Sequence, residues 1–307
     1  MTIPTITGTD GNDTLFSTAA DEIIDGGKGF DFVSYANILS GVTVSLALST
    51  SQNTGGGGHD TLLHLEGIIG SGFADSLTGS AAADTLLGGQ GDDLIYGGTG
   101  NDSLDGGNGN DTLDGGSGAD TLNGGAGIDT AAYVDAGSAV TVDLNLQGAP
   151  QNTIGASNDT LLSIENLTGS NFADHLTGDG GVNVLIGGAG NDTLTGGAGG
   201  DVLTGGTGAD TFVYTSLADS TFSPKTQDVI TDFSHADGDQ IDLSQIDPSF
   251  SLVASFTHMA DQLIVTAAPA KGADAYLVQG DVNGDGKADF AILVHSATAL
   301  VAGDFIL

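Results

Sequence analysis

The sequence predicts an all-β protein, a parallel β-roll or β-helix solenoid followed by a C-terminal β-rich cap. Three observations predict it. A nine-residue period recurs in tandem, one apolar position recurs once per period between polar neighbours, and glycine supplies 52 of 307 residues. That glycine excess implies either disorder or a repeat fold that needs unusual backbone angles. The absence of a Gly-X-Y triplet excludes collagen.

The nonapeptides fall into three runs. Three units run from Gly8 to Ser34, seven from Gly70 to Ala132, and five from Gly169 to Val213. The clearest reads Gly106-Gly-Asn-Gly-Asn-Asp-Thr-Leu-Asp. Glycines at positions one, two and four permit positive φ and close backbone approach. Position eight is apolar, as in Leu86, Ile95, Leu104, Leu113 and Leu122, with mostly polar neighbours. That alternation marks a short strand with one buried face.

A turn of six residues and a strand of three bury nothing alone. Two units make one coil of 18 residues, and stacked coils form two parallel sheets around one apolar stripe. Coils are expected about 4.8 Å apart. The stack lays each turn over the turn 18 residues later, so two aspartates and several backbone carbonyls face one gap.

Charge names the partner. Forty acidic residues face four basic ones, for a formal net charge of −36. Nucleic acid and anionic membranes need basic surfaces, so neither is expected as a partner. A cation is the natural partner. The paired turns offer oxygen ligands only, which suits calcium and argues against zinc or copper. Without the ion the stacked carboxylates repel, so calcium is expected to be part of the fold.

These units resemble the Gly-Gly-x-Gly-x-Asp-x-apolar-x repeats of RTX proteins. Nine carry the full loop, starting at Gly26, Gly88, Gly97, Gly106, Gly115, Gly124, Gly187, Gly196 and Gly205. The resemblance implies a calcium β-roll. It assigns the ion to the loop carboxylates Asp13, Asp31, Asp93, Asp102, Asp111, Asp120, Asp129, Asp174, Asp192, Asp201 and Asp210. It adds the loop backbone at Gly89, Gly91, Gly98, Gly100, Gly107, Gly109, Gly116, Gly118, Gly125, Gly127, Gly188, Gly190, Gly197, Gly199, Gly206 and Gly208. Degenerate turns are expected to bind weakly or not at all. Gly70-Ser-Gly-Phe-Ala-Asp and Gly79-Ser-Ala-Ala-Ala-Asp lack the fourth glycine, and Glu22 and Asn183 replace the aspartate.

Residues 35–69 and 133–168 are copies of each other. Val42-Thr-Val-Ser-Leu matches Val140-Thr-Val-Asp-Leu, and Asp60-Thr-Leu-Leu matches Asp159-Thr-Leu-Leu. They are expected to continue the roll of residues 1–213 as wider coils. Alternation at Val42, Val44, Leu46 and Leu48 predicts a strand, and the loops at 51–58 and 147–157 are expected to bulge outward.

Residues 214–307 change pattern. Asp228-Val-Ile-Thr-Asp-Phe, Gly238-Asp-Gln-Ile-Asp-Leu and Gly280-Asp-Val-Asn-Gly-Asp-Gly resemble the segment that follows the β-roll in serralysin-like secreted proteases. Asp281, Asn283, Asp285 and Asp289 lie at positions 1, 3, 5 and 9 of an EF-like loop, a further calcium candidate. Position 12 is Ile292 instead of glutamate. The ending Asp304-Phe-Ile-Leu resembles that of type I secretion substrates. It implies export through type I machinery to the cell surface or medium, in keeping with a start that lacks a basic and apolar leader. No run of 18 apolar residues predicts a membrane span.

Catalysis finds no support. His-Glu-x-x-His and Gly-x-Ser-x-Gly are absent, there is no cysteine, and the six histidines show no ligand spacing. The expected function is structural: a surface-layer, matrix or adhesin protein able to self-assemble through its open ends. A polysaccharide-acting enzyme and a host-interaction effector stay open as alternatives.

Overall fold

The repeat folds as its period dictates. Position eight is sealed in every unit between Gly70 and Ala132, with Leu86, Ile95, Leu113 and Leu122 all at 0% exposure. A buried leucine or isoleucine contributes about 1.5–3 kcal/mol, so the stripe rewards stacking at each coil. The computed structural model describes residues 3–153, 158–223 and 225–307. These divide into two compact units: one runs to Ala136 and takes in Leu146–Ile164, and the other comprises Gly137–Asn145 and Glu165–Leu307.

In the first unit one sheet is ordered Thr14–Phe16, Phe32–Ser34, Gly67–Ile69, Thr85–Gln90, Ser103–Asn108, Thr121–Ala126, Asn158–Leu162 and Pro150–Asn152. All pairs are parallel except the last. A second sheet stacks Thr43–Ser45, Ser76–Thr78, Leu94–Tyr96, Thr112–Asp114 and Thr130–Ala132, also parallel. Leu86 pairs with Leu104 and Leu104 with Leu122, so the register is one coil of 18 residues. A smaller sheet joins Thr5–Thr7, Ile23–Asp25, His59–Leu63 and Gln52–Asn53.

In the second unit Asn166–Thr168, Val184–Ala189, Val202–Thr207 and Val229–Phe233 continue the same parallel pattern. Phe290–Ser296 joins Val229–Phe233 in parallel, then pairs antiparallel with Ala275–Asp281, which pairs with Gln262–Ala267. The other sheet stacks Thr141–Asp143, His175–Thr177, Thr193–Thr195, Thr211–Val213, Gln240–Asp242 and Phe305–Ile306. The fold class is thus all-β with parallel rolls and a β-rich C-terminal part.

Two details differ from expectation. Five strands have six residues instead of three, because the first glycines of the turn join the ladder, as Gly89 does with Gly107. The Val42–Leu48 alternation yields only Thr43–Ser45, and Leu48 is exposed. The first predicted bulge contains Gln52–Asn53, folded antiparallel onto His59–Leu63. The second falls partly outside the described residues.

Candidate metal centre

The turns hold the chemistry, and glycine builds them in two ways. Gly107 and Gly109 sit at φ 101° and 137°, where a side chain is strained. Gly106 has no such angle, yet a Cβ there would stand 2.7 Å from Cβ of Asp111. Positions two and four therefore need glycine for its conformation, and position one needs it for space.

Stacking turns the position-six aspartates into a ladder. The backbone N–H of Asp75 donates to Oδ1 of Asp93 at 2.8 Å, and Asp93 N–H donates to Asp111 at the same distance. Asp84 to Asp102, Asp102 to Asp120, and Asp111 to Asp129 repeat the bond at 2.8 Å. In the second unit Asp174 donates to Asp192 at 2.8 Å and Asp192 to Asp210 at 2.9 Å. Asp13 donates to Asp31 at 2.7 Å.

Each bond uses one carboxylate oxygen. The other is left over: Oδ2 of Asp31, Asp93, Asp102, Asp111, Asp120, Asp192, Asp201 and Asp210 is buried without a hydrogen-bond partner. A bare buried carboxylate oxygen costs several kcal/mol unless a cation or proton answers it. Burial raises these carboxyls, Asp93, Asp120 and Asp192 to about 7, with neighbouring carboxylates adding to the rise. Backbone oxygens converge on the same places. Asp93 Oδ2 and the Gly106 carbonyl both crowd the Cα of Gly88, and Asp192 Oδ2 and the Gly205 carbonyl crowd Gly187. Paired hard oxygens with one uncompensated charge per turn fit calcium. Among the described residues no three His, Cys, Asp or Glu side chains converge. The donor set is one carboxylate per turn plus main chain.

Degenerate turns satisfy themselves, a device the sequence reading missed. The Ser71 N–H and hydroxyl donate to Asp75 at 2.5 and 2.8 Å. Ser170 does the same for Asp174 at 2.5 and 2.9 Å, Thr9 for Asp13 at 2.6 and 2.8 Å, and Thr18 for Glu22 at 2.9 and 2.6 Å. The signal was visible: Ser or Thr replaces the second glycine in the early units of each run. Also missed were rungs off the 18-residue spacing. Asp31 donates to Glu66, Glu22 to Asp60, Asp120 to Asp159, Asp201 to Asp228 and Asp210 to Asp239, at 2.9–3.1 Å.

The loop 281–289 is tied inward. Asp281 accepts from Gly284 and Gly286 N–H at 2.7 and 2.8 Å, and Asp289 accepts from Val282 N–H and Asn283 Nδ2 at 2.8 and 2.7 Å. Asn283 Oδ1 accepts from Asp285 N–H at 2.8 Å, and Asp285 Oδ1 accepts from Lys287 N–H at 2.8 Å. The histidines scatter: His64 meets Asp25 at 2.7 Å, His235 meets Asp304 at 2.5 Å, and His295 meets Asp274 at 3.3 Å.

Fold and turns together define a calcium-binding β-roll of the RTX type. Residues 5–33, 69–104 and 96–131 match the family model for RTX calcium-binding nonapeptide repeats. Residues 135–307, more than half of the chain, match the peptidase M10 serralysin C-terminal model, and the chain belongs to that family. The match is to the non-catalytic module that accompanies the peptidase. No curated protein matches the chain. Among solved structures, the AlgE6R3 subunit of the Azotobacter vinelandii mannuronan C5-epimerase is 31% identical over 46% of this chain and 77% of its own, with TM-score 0.36. The AlgE6R2 subunit of the same enzyme is 26% identical over 47% of this chain and 92% of its own, with TM-score 0.35. No helix among the described residues is long and apolar enough to cross a membrane.

Proposed function

We propose that this chain is a secreted structural protein that folds when it meets calcium, holding ions between stacked turns. The observation that carries the reading is the row of buried, unpartnered Oδ2 atoms at Asp93, Asp102, Asp111, Asp120, Asp192, Asp201 and Asp210. Asp31 closes the first run with the same feature. Asp129 and the carbonyls of the loop glycines complete the assigned ligands. Calcium supplies the positive charge that lets adjacent carboxylates share one gap. Asp13 and Asp174, already held by Thr9 and Ser170, rank as the weakest sites, and the 281–289 loop ranks with them.

Export through type I machinery follows from the family and from the tail. Asp304 is buried and Phe305–Ile306 pairs with Gln240–Asp242, so the tail is accessible only before folding. A calcium-poor cytosol keeps the acidic chain open, and external calcium closes it. Division of labour between a roll over 1–213 and a cap over 214–307 belongs to the same proposal. So does self-assembly, for which Thr5–Thr7 and Thr14–Phe16 offer strand edges.

Circular dichroism of the full chain in millimolar calcium and after exhaustive chelation tests the reading. The β signal and the melting transition should vanish with the ion and return on its addition. An unchanged spectrum and melt in chelator would sink it. Light scattering in the same two conditions reads assembly.

A further inference from the structure

Each run of nonapeptides ends in a strand followed at once by tyrosine. Phe32–Ser34 precedes Tyr35, Thr130–Ala132 precedes Tyr133, and Thr211–Val213 precedes Tyr214. These are three of the five tyrosines in the chain, and all three are buried. Each faces one particular carboxylate. The Tyr35 hydroxyl donates to Asp60 Oδ2 at 3.0 Å, beside the Thr54 and Ser17 hydroxyls at 3.1 and 3.3 Å. Tyr133 faces Asp159, which also accepts from Thr153 at 3.3 Å, and Tyr214 faces Asp228.

Asp60, Asp159 and Asp228 share a second property. Each accepts a backbone N–H from the preceding carboxylate, from Glu22, Asp120 and Asp201, and none of the described bonds passes the ladder on. They are last rungs. Inside a run the next glycine turn brings carbonyls over the gap. Beyond a last rung the chain brings a phenol.

Residues 55–60 make the contrast sharp. Gly55-Gly-Gly-Gly-His-Asp60 has the letters of a complete ion loop. Its geometry is different: Gly56 and Gly57 lack the positive φ, and a Cβ on Gly57 would stand 2.6 Å from the Tyr35 ring. The ring occupies the side of the loop where a stacked turn would lie.

We propose that Tyr35, Tyr133 and Tyr214 are ladder stops: each hydroxyl answers the final carboxylate of a ladder in place of an ion. This rests on the calcium-ladder reading above. The stops close the array so that no last carboxylate recruits a metal that lacks a second turn to hold it. A buried hydroxyl donating to a carboxylate is worth more than a neutral hydrogen bond and does not depend on calcium.

Equilibrium dialysis counts the calcium bound by the full chain and by Asp60→Asn, Asp159→Asn and Asp111→Asn. Asp60→Asn and Asp159→Asn should keep the parent count, and Asp111→Asn should lose at least one ion. Tyr133→Phe, which keeps the ring and removes the hydroxyl, should keep the count and lower the calcium-saturated melting temperature by roughly 2–6 °C. Loss of an ion on Asp60→Asn or Asp159→Asn overturns the stops while leaving the ladder intact. A parent count in Asp111→Asn would instead remove the ladder reading itself. A Tyr133→Phe melt equal to the parent's would reduce the tyrosine to packing and also defeat the proposal.

Discussion

Replacing Asp111 with asparagine separates the two things its carboxylate does. Oδ1 accepts the Asp93 N–H at 2.8 Å, and asparagine keeps that oxygen. Oδ2 is buried and unpartnered, and asparagine turns it into a neutral amide nitrogen. With calcium in hundredfold excess over its dissociation constant, losing one ion removes about 2.7 kcal/mol of linkage. At about 2–4 °C per kcal/mol for a unit of this size, the melting temperature should fall by roughly 5–10 °C. In chelator the sign reverses, because the variant removes a buried charge whose neighbours Asp129, Asp92 and Asp105 repel it. The Asp111→Ala variant also strands the Asp93 N–H and should cost about 1–3 kcal/mol more in calcium. Differential scanning calorimetry of parent and both variants, with calcium and with chelator, is the assay. If Asp111→Asn lowers stability equally in both conditions, the carboxylate is a structural hydrogen-bond acceptor and the metal argument fails.

Three other outcomes follow from the same geometry. Burial raises Asp93, Asp120 and Asp192 to about 7 and Asp228 to about 8. A raised folded pKa gives stability that is fully present below the ordinary aspartate value near 3.8 and is lost as pH rises through 7 to 8. The calcium-free chain should therefore hold more β structure at pH 4 than at pH 8 by circular dichroism, and the opposite order would contradict the burial of these groups. Leu104→Ala, at a site 1% exposed, should cost about 2–5 kcal/mol in denaturant titration with calcium; a cost below about 1 kcal/mol would mean that the stripe is loosely packed. Ser71→Ala should cost about 1 kcal/mol from the lost hydroxyl bond to Asp75, while the number of calcium ions bound stays at the parent value. A drop in that number would show that Asp75 ligates an ion after all.

The period alone determined most of the architecture. A nine-residue unit with glycine at one, two and four, aspartate at six and an apolar residue at eight admits few packings, because its three-residue strand must find a neighbour to bury Leu104 or Leu113. That is why the 18-residue register and the sealed stripe were legible before any coordinates. Tertiary structure decided what the period could not encode. Glu66, Asp60, Asp159 and Asp228 extend the ladders from 27 to 39 residues away, and only the stacked backbone brings them under the preceding turn. Ser71, Thr9 and Ser170 became local donors because a turn without glycine at position two points its N–H back at its own carboxylate. Residues 55–60 show the limit most plainly. Their letters spell an ion loop, but a sequence motif specifies the ligands of one turn only, and calcium needs two turns face to face. Whether the second face is another glycine turn or the ring of Tyr35 is settled by packing, which no single nonapeptide contains.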